Sequence, residues 1–249
     1  MSPRAILDKL VGFPTVSRDS NLDLVDWVEG YLASHGIVAH RHWHDDRTKA
    51  ALFAHVGPMV PGGVILSGHT DVVPVDGQAW TRDPWVVAEH DGRLYGRGTC
   101  DMKGFDALAI WAMVEAQRAG VNRPLQLALS YDEEIGCWGA PPMIAAIGRT
   151  LPKAACVVVG EPSMMRMVNG HKGGAGFAVH VRGHEVHSSI MHTGVNAIMT
   201  GARLIDWANR MNTENAAAVP TLLAAQFVPP WTTVHVGIIS GGTAENISA

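Results

Sequence analysis

The sequence predicts an α/β fold joined to a smaller α+β domain, and three observations carry that prediction. Apolar runs of strand length alternate with helical stretches through about residue 174. Four of these stretches end in histidine or acidic side chains, as expected where a ligand crevice forms at the carboxyl ends of strands. From about residue 175 a strand-helix-strand pattern restarts that is too small to close a core alone. The expected domains are therefore residues 1–174 and 175–249.

Element by element, Ser2-Pro3 suits the start of a short first helix. "LDLVDWVEGYLASHG" places Leu24, Val25, Val28, Tyr31 and Leu32 on one helical face before Gly36 stops it. Strands follow at "IVAHRHWH", "AALFAHVG" and "GGVILSGH", and "WVVAEHDGRLYGRG" reads as a hairpin turning at Asp91-Gly92. "FDALAIWAMVEAQRAG" is apolar nearly all round, which predicts a buried helix. "PLQLALSYDEE" and "AACVVVGEP" return as strands. In the second part, "GFAVHVRG" and "TTVHVGIIS" read as strands flanking the helix "NAIMTGARLIDWANRMN".

Composition narrows the function. With 249 residues, 47% hydrophobic and 17% charged, the chain can bury a full core. A formal charge of -4 and no Lys/Arg-rich run argue against nucleic acid and anionic membranes as partners, and favour a small polar substrate. No apolar stretch has the length of a spanning helix, and the first residues lack a signal-peptide pattern, so a cytoplasmic protein is expected. Cys100, Cys137 and Cys156 are an odd set without CxxC spacing, which indicates neither a disulfide framework nor a cysteine-rich zinc site.

The chemistry gathers at four strand ends: His69 with Asp71, Asp101 after "YGRGTC", Glu133-Glu134 after "LALSY", and Glu161 after "CVVVG". Singly, each is ordinary strand-end polarity; together they form a donor set of one imidazole and several carboxylates suited to Zn²⁺, Co²⁺ or Mn²⁺. The surplus of acids fits a two-metal site with Asp101 as the bridge. Within the pair Glu133-Glu134 one side chain would serve metal and the other would take a proton from water. His40, His42 and His44 alternate onto one strand face and form a weaker, competing metal candidate. "GRGTCDMKG" lacks the third glycine of GxGxxG and the GK[ST] of a P-loop, and no GxSxG elbow is present.

"SGHTDVVPVDGQAW", "DGRLYGRGTCDMKGF", "SYDEEIGCWGA", "VVVGEPS" and "GHEVHSSIMHTGVNAI" together resemble the co-catalytic zinc amidohydrolases and metallopeptidases, and are most similar to their acetylornithine deacetylase branch. The resemblance implies a zinc-exopeptidase-like mixed sheet with helices on both faces and part of a lid and dimerisation domain, in an enzyme that hydrolyses an N-acyl amino acid. N-acetylornithine, an intermediate of arginine biosynthesis, is the implied substrate, with desuccinylase or dipeptidase activity as the alternative. It implies His69 on one metal with Asp71 orienting its ring, Asp101 bridging, Glu134 on the first metal, Glu161 on the second, and Glu133 as general base. His187 would stabilise the oxyanion in a partner subunit's site, and Asn246 would contact substrate. The family pattern continues beyond "GGTAEN" to a last histidine ligand, whereas this chain ends at Ala249. An inactive, self-associating metal-binding remnant is therefore a further expectation.

Overall fold

The computed structural model describes residues 1–249 as two compact units, Met1–Met167 and Val168–Ala249.

In the first unit, α1 (Pro3–Val11) starts where Ser2 Oγ accepts a hydrogen bond from Ala5 N and Pro3 supplies a first-turn residue that needs no N–H partner. It buries Ile6, Leu7, Leu10 and Val11, the spacing of one helical face. α2 (Leu22–Ala33) buries Leu24, Val25, Val28 and Leu32. Five strands then form one sheet: β1 (Ala39–Trp43), β2 (Ala50–Val56), β3 (Val64–His69), β6 (Leu125–Ser130) and β7 (Cys156–Val159). The hairpin β4 (Ala88–His90) and β5 (Arg93–Tyr95) turns at Asp91-Gly92. α3 (Lys103–Ala119) ends at left-handed Gly120, and α4 (Ala140–Thr150) completes the unit.

The sheet order is β1-β2-β6-β3-β7. β1 and β6 run antiparallel to β2, while β6, β3 and β7 are mutually parallel. Side chains alternate across the sheet. Leu52, Ala54, Leu127 and Leu129 join α1, α2 and α3 in the main core, and Ala51, Phe53 and Ala128 join Met143 and Ala146 of α4 in a smaller core on the other face. Helices thus cover both faces of a mixed sheet.

Two details differ from the sequence reading. α3 is not buried all round: Leu108 and Trp111 are exposed, because only the face with Ala107, Ile110, Met113 and Val114 meets the sheet and α1. α4 has no counterpart in the reading, although Pro141 and Pro142 sit at its start, where their missing N–H groups cost nothing.

The second unit is built on α5 (Ala197–Ala217), capped by the Asn196 side chain accepting from Met199 N. Its strands are two short pieces, β8 (Val186–His187) and β9 (Ile247–Ser248), paired antiparallel. The predicted strands at 176–183 and 232–240 are absent. For the latter the reason is local: Asn212 bonds both the N–H and the C=O of Val234, and Asn215 bonds the C=O of Thr232. Side chains of α5 occupy backbone groups that a strand ladder would use.

Candidate metal centre

The parallel run of β3, β6 and β7 explains why distant acids meet. His69 ends β3 in register with Ser130, the last residue of β6, and Ser67 of β3 pairs with Val159, the last residue of β7. The segments beyond β6 and β7, carrying Glu133-Glu134 and Glu161, therefore emerge at the same sheet edge as His69. Asp101 arrives immediately before α3.

His69 is the centre of the cluster. Its Nε2 lies 3.1 Å from Asp101 Oδ1, 3.7 Å from Glu133 Oε2 and 3.8 Å from Glu161 Oε1. Two sets of donor atoms lie within 4.8 Å of one another: His69 with Asp101 and Glu134, and His69 with Glu133 and Glu161. Both members of the Glu133-Glu134 pair thus come within ligand range of the imidazole. His40 stacks on Phe53 and His44 bonds Asp46, so that histidine strand is engaged with its neighbours.

Asp71 organises the cluster from behind. The closest acceptor to His69 Nδ1 is the Asp71 backbone carbonyl at 2.9 Å, with the carboxylate at 3.5 Å. The carboxylate itself accepts from Ser17 Oγ at 2.6 Å, Glu133 N at 3.1 Å and Glu134 N at 3.3 Å. One buried aspartate therefore fixes both the imidazole and the backbone of the two glutamates, leaving Nε2 facing the acids.

The electrostatics are those of a site rich in negative charge. Burial lowers the affinity of His69 for its proton, but the hydrogen bond and charge of Asp71, with Asp106 and Glu133, outweigh it and hold the imidazole at about 10. Burial, then Asp101, raises Glu134. Burial also raises Glu161, His69 opposes the shift, and Asp101 and Glu133 add to it. A divalent cation would relieve this crowding, and one imidazole with several carboxylates is a donor set that zinc accepts.

Three supporting residues were missed by sequence reasoning. Ser17 donates to Asp71 and is buried. Lys103, fully buried, donates to the Phe13 carbonyl at 2.7 Å, and burial lowers its ammonium to about 7. Asp106 is buried beneath the strand end: a Cβ on Gly68 would lie 2.1 Å from its Oδ1, which has no hydrogen-bond partner. A polar residue at an inward position of an apolar helix is the signal that marks Asp106 in "FDALAIW".

His187 and Asn246 belong to the second unit. His187 is exposed, with Nδ1 2.8 Å from Ser189 Oγ, and the Asn246 carbonyl accepts from Ser188 N at 2.8 Å. β8 and β9 thus bring these two residues to neighbouring backbone positions.

A mixed α/β sheet with an imidazole-carboxylate cluster at its carboxyl edge is the architecture of a metallohydrolase-type site. The chain belongs to the peptidase family M20/M25/M40, whose family model matches residues 65–238. It is 38% identical over 249 residues to an acetylornithine deacetylase of Myxococcus xanthus, covering 98% of this chain and 63% of that protein. To the acetylornithine deacetylase of Klebsiella pneumoniae (strain 342) it is 33% identical, covering 95% of this chain and 62% of the relative. The chain therefore spans somewhat less than two thirds of the length of these relatives. Among solved structures, a tripeptidase from Staphylococcus aureus aligns with TM-score 0.63 at 17% identity over 99% of this chain and 62% of its own. An M20 family metallo-carboxypeptidase from Sulfolobus solfataricus aligns with TM-score 0.57 at 21% identity over 64% of this chain and 37% of its own. These two likenesses concern the fold. No helix is long and apolar enough to cross a membrane.

Proposed function

We propose that the chain is the metal-binding portion of a hydrolase that cleaves the amide bond of an N-acyl amino acid, with N-acetylornithine giving ornithine and acetate. The observation that supports this reading is the set of four carboxylates, Asp101, Glu133, Glu134 and Glu161, around the single imidazole of His69. The choice of substrate follows the names of the similar relatives.

In this reading His69, Asp101, Glu134 and Glu161 would hold the catalytic metal. Zn²⁺ when bound supplies a Lewis acid to the acyl carbonyl, and Co²⁺ or Mn²⁺ suit the same donors. Asp71 keeps the proton of His69 on Nδ1 and the ring in one orientation. Glu133 takes the proton of the attacking water and delivers it to the leaving amine. Residues 175–249 act as part of a lid and dimerisation domain, in which His187 stabilises the oxyanion of a partner subunit's substrate and Asn246 contacts substrate. A cytoplasmic homodimer acting on a small molecule fits this assignment.

The test is hydrolysis of N-acetylornithine with and without added Zn²⁺ or Co²⁺, beside N-succinyl-diaminopimelate and a dipeptide. Metal-dependent release of ornithine is the outcome of the hydrolase reading, metal bound without a metal-dependent rate on any of the three favours the inactive metal-binding remnant, and a chain that binds no metal overturns both. Glu133→Gln should retain metal and lose turnover, because the amide removes the base. Glu134→Gln should weaken metal binding as well. Equal metal loss in both variants would reverse the division of labour within the pair.

A further inference from the structure

Lys49 immediately precedes β2, and its ammonium turns inward instead of toward solvent. Nζ donates to Asp132 Oδ1 at 2.5 Å and to the Ser17 carbonyl. The two side chains of this ion pair are 13% and 9% exposed, whereas every other ion pair of a lysine or arginine leaves at least one side chain 36% or more exposed. A surface pair contributes little, but a buried one fixes geometry, because breaking it strands a charge away from water.

The partners of Lys49 show what that geometry serves. Asp132 directly precedes Glu133 and holds a left-handed backbone, with φ of 56°, a conformation that costs a residue with a side chain some strain. Beyond it, Glu133 N and Glu134 N both donate to the Asp71 carboxylate, at 3.1 and 3.3 Å. Ser17, the other partner, donates its hydroxyl to the same carboxylate at 2.6 Å. Lys49, Asp132, Asp71 and Ser17 therefore close a ring, in which a buried cation and a buried anion grip the same two segments. Asp71 holds the amides of the turn, and Lys49 holds the side chain that precedes them.

We infer that Lys49 is a positioning residue for the metal centre: through Asp132 it keeps the Glu133-Glu134 turn in the arrangement that places both amides on Asp71 and both carboxylates beside His69. Lys49 makes no hydrogen bond or ion pair with His69, Asp101, Glu133, Glu134 or Glu161, so its effect reaches them through the backbone of the turn. This deepens the function proposed above, and its consequence for metal rests on that reading.

The test is amide hydrogen exchange by NMR on the full chain before zinc is added, followed by calorimetric titration with Zn²⁺, for the unmodified protein, Lys49→Met and Asp132→Asn. Lys49→Met should speed exchange of the Glu133 and Glu134 amides at least about tenfold, the scale of one hydrogen bond to a charged group. The amides of Leu127 and Leu129, paired within the sheet, should keep their rates. Zinc affinity should fall by about tenfold as well, as when a group that orients metal donors is lost. Asp132→Asn keeps an acceptor and suits left-handed backbone, so it should show a smaller change of the same kind. Unchanged exchange at Glu133 and Glu134 overturns the inference, and so does an acceleration shared equally by Leu127 and Leu129, which reports loss of the fold as a whole. Faster exchange at the turn with unchanged zinc affinity overturns the assignment to the metal centre. Should Lys49→Met fail to fold by circular dichroism, Asp132→Asn decides: unmodified exchange at the turn overturns the inference. Failure of the broader reading has a different signature, with no zinc bound by the unmodified protein while exchange at the turn still responds to Lys49→Met.

Discussion

The two units use similar sequence patterns to different effect. In residues 1–167, β2 and β6 lie between neighbouring strands, and Leu52, Leu127 and Leu129 are almost wholly removed from water. In residues 168–249, apolar runs of the same kind, with Phe177, Val179, Ile238 and Ile239, stay exposed, and Ala208 is the single buried hydrophobic residue. An apolar alternation states which face a strand would bury; whether a strand forms depends on a neighbour that can pair with it.

The largest test of this contrast is truncation of matched aliphatic side chains. Leu127→Ala should cost about 2–5 kcal/mol by leaving a cavity in the main core, whereas Ile238→Ala should stay within about 0.5 kcal/mol, both read from denaturant melts. Comparable losses would mean that Ile238 is buried in solution.

A pH titration of the metal-free protein sharpens the comparison further, because the cluster of charges belongs to the first unit. His69 is held at about 10 against an ordinary 6.5, so its contribution is full below about pH 6.5 and is lost as pH rises through 10. Glu134 and Glu161 lie above their ordinary 4.5, so their contributions too are lost as pH rises through their folded values. Lys103, lowered to about 7 from its ordinary 10.5, acts in the opposite sense. The measure is therefore the Tm of chelator-treated protein relative to a His69→Gln variant, and that difference should fall by several degrees between pH 6 and pH 10. Saturation with Zn²⁺ should flatten the profile, since a metal replaces the proton on the imidazole. A difference between the two proteins that grows over this range would contradict the assignment to His69.

A smaller effect separates buried from exposed hydroxyls. Ser17→Ala removes a buried donor to Asp71 and should cost about 1–3 kcal/mol, whereas Thr243→Ala, whose hydroxyl meets Glu185 in solvent, should cost less than about 0.5 kcal/mol. Equal values would show that Asp71 finds another donor.

What was legible in the sequence follows the same division. α1, α2, the hairpin at Asp91-Gly92 and the five sheet strands could be read because caps, turn residues and apolar periodicity are local. The segment 232–240 carried the same local signal, yet Asn212 and Asn215, some twenty residues away, decide its backbone bonding. The acids at strand ends were visible one by one in the sequence. Their meeting depends on β3 lying between β6 and β7, an order set by long-range packing that periodicity does not encode. Ser17 and Lys103 were not legible for a related reason: a serine in a loop and a lysine in a helical first turn have ordinary surface roles until neighbouring elements enclose them.

The parallel strand order also dictates when the cluster can exist. β3 pairs with β6 and β7 instead of with the segments next to it in sequence, so His69 meets Glu133 and Glu161 only after loops of roughly 60 and 90 residues have closed. Such closures are among the slower events in assembling a small domain. In a stopped-flow refolding experiment, capture of Zn²⁺ should accordingly lag the helical signal of α1 and α2, whose backbone hydrogen bonds are local. Metal uptake would then serve as a clock that strikes when the third strand docks.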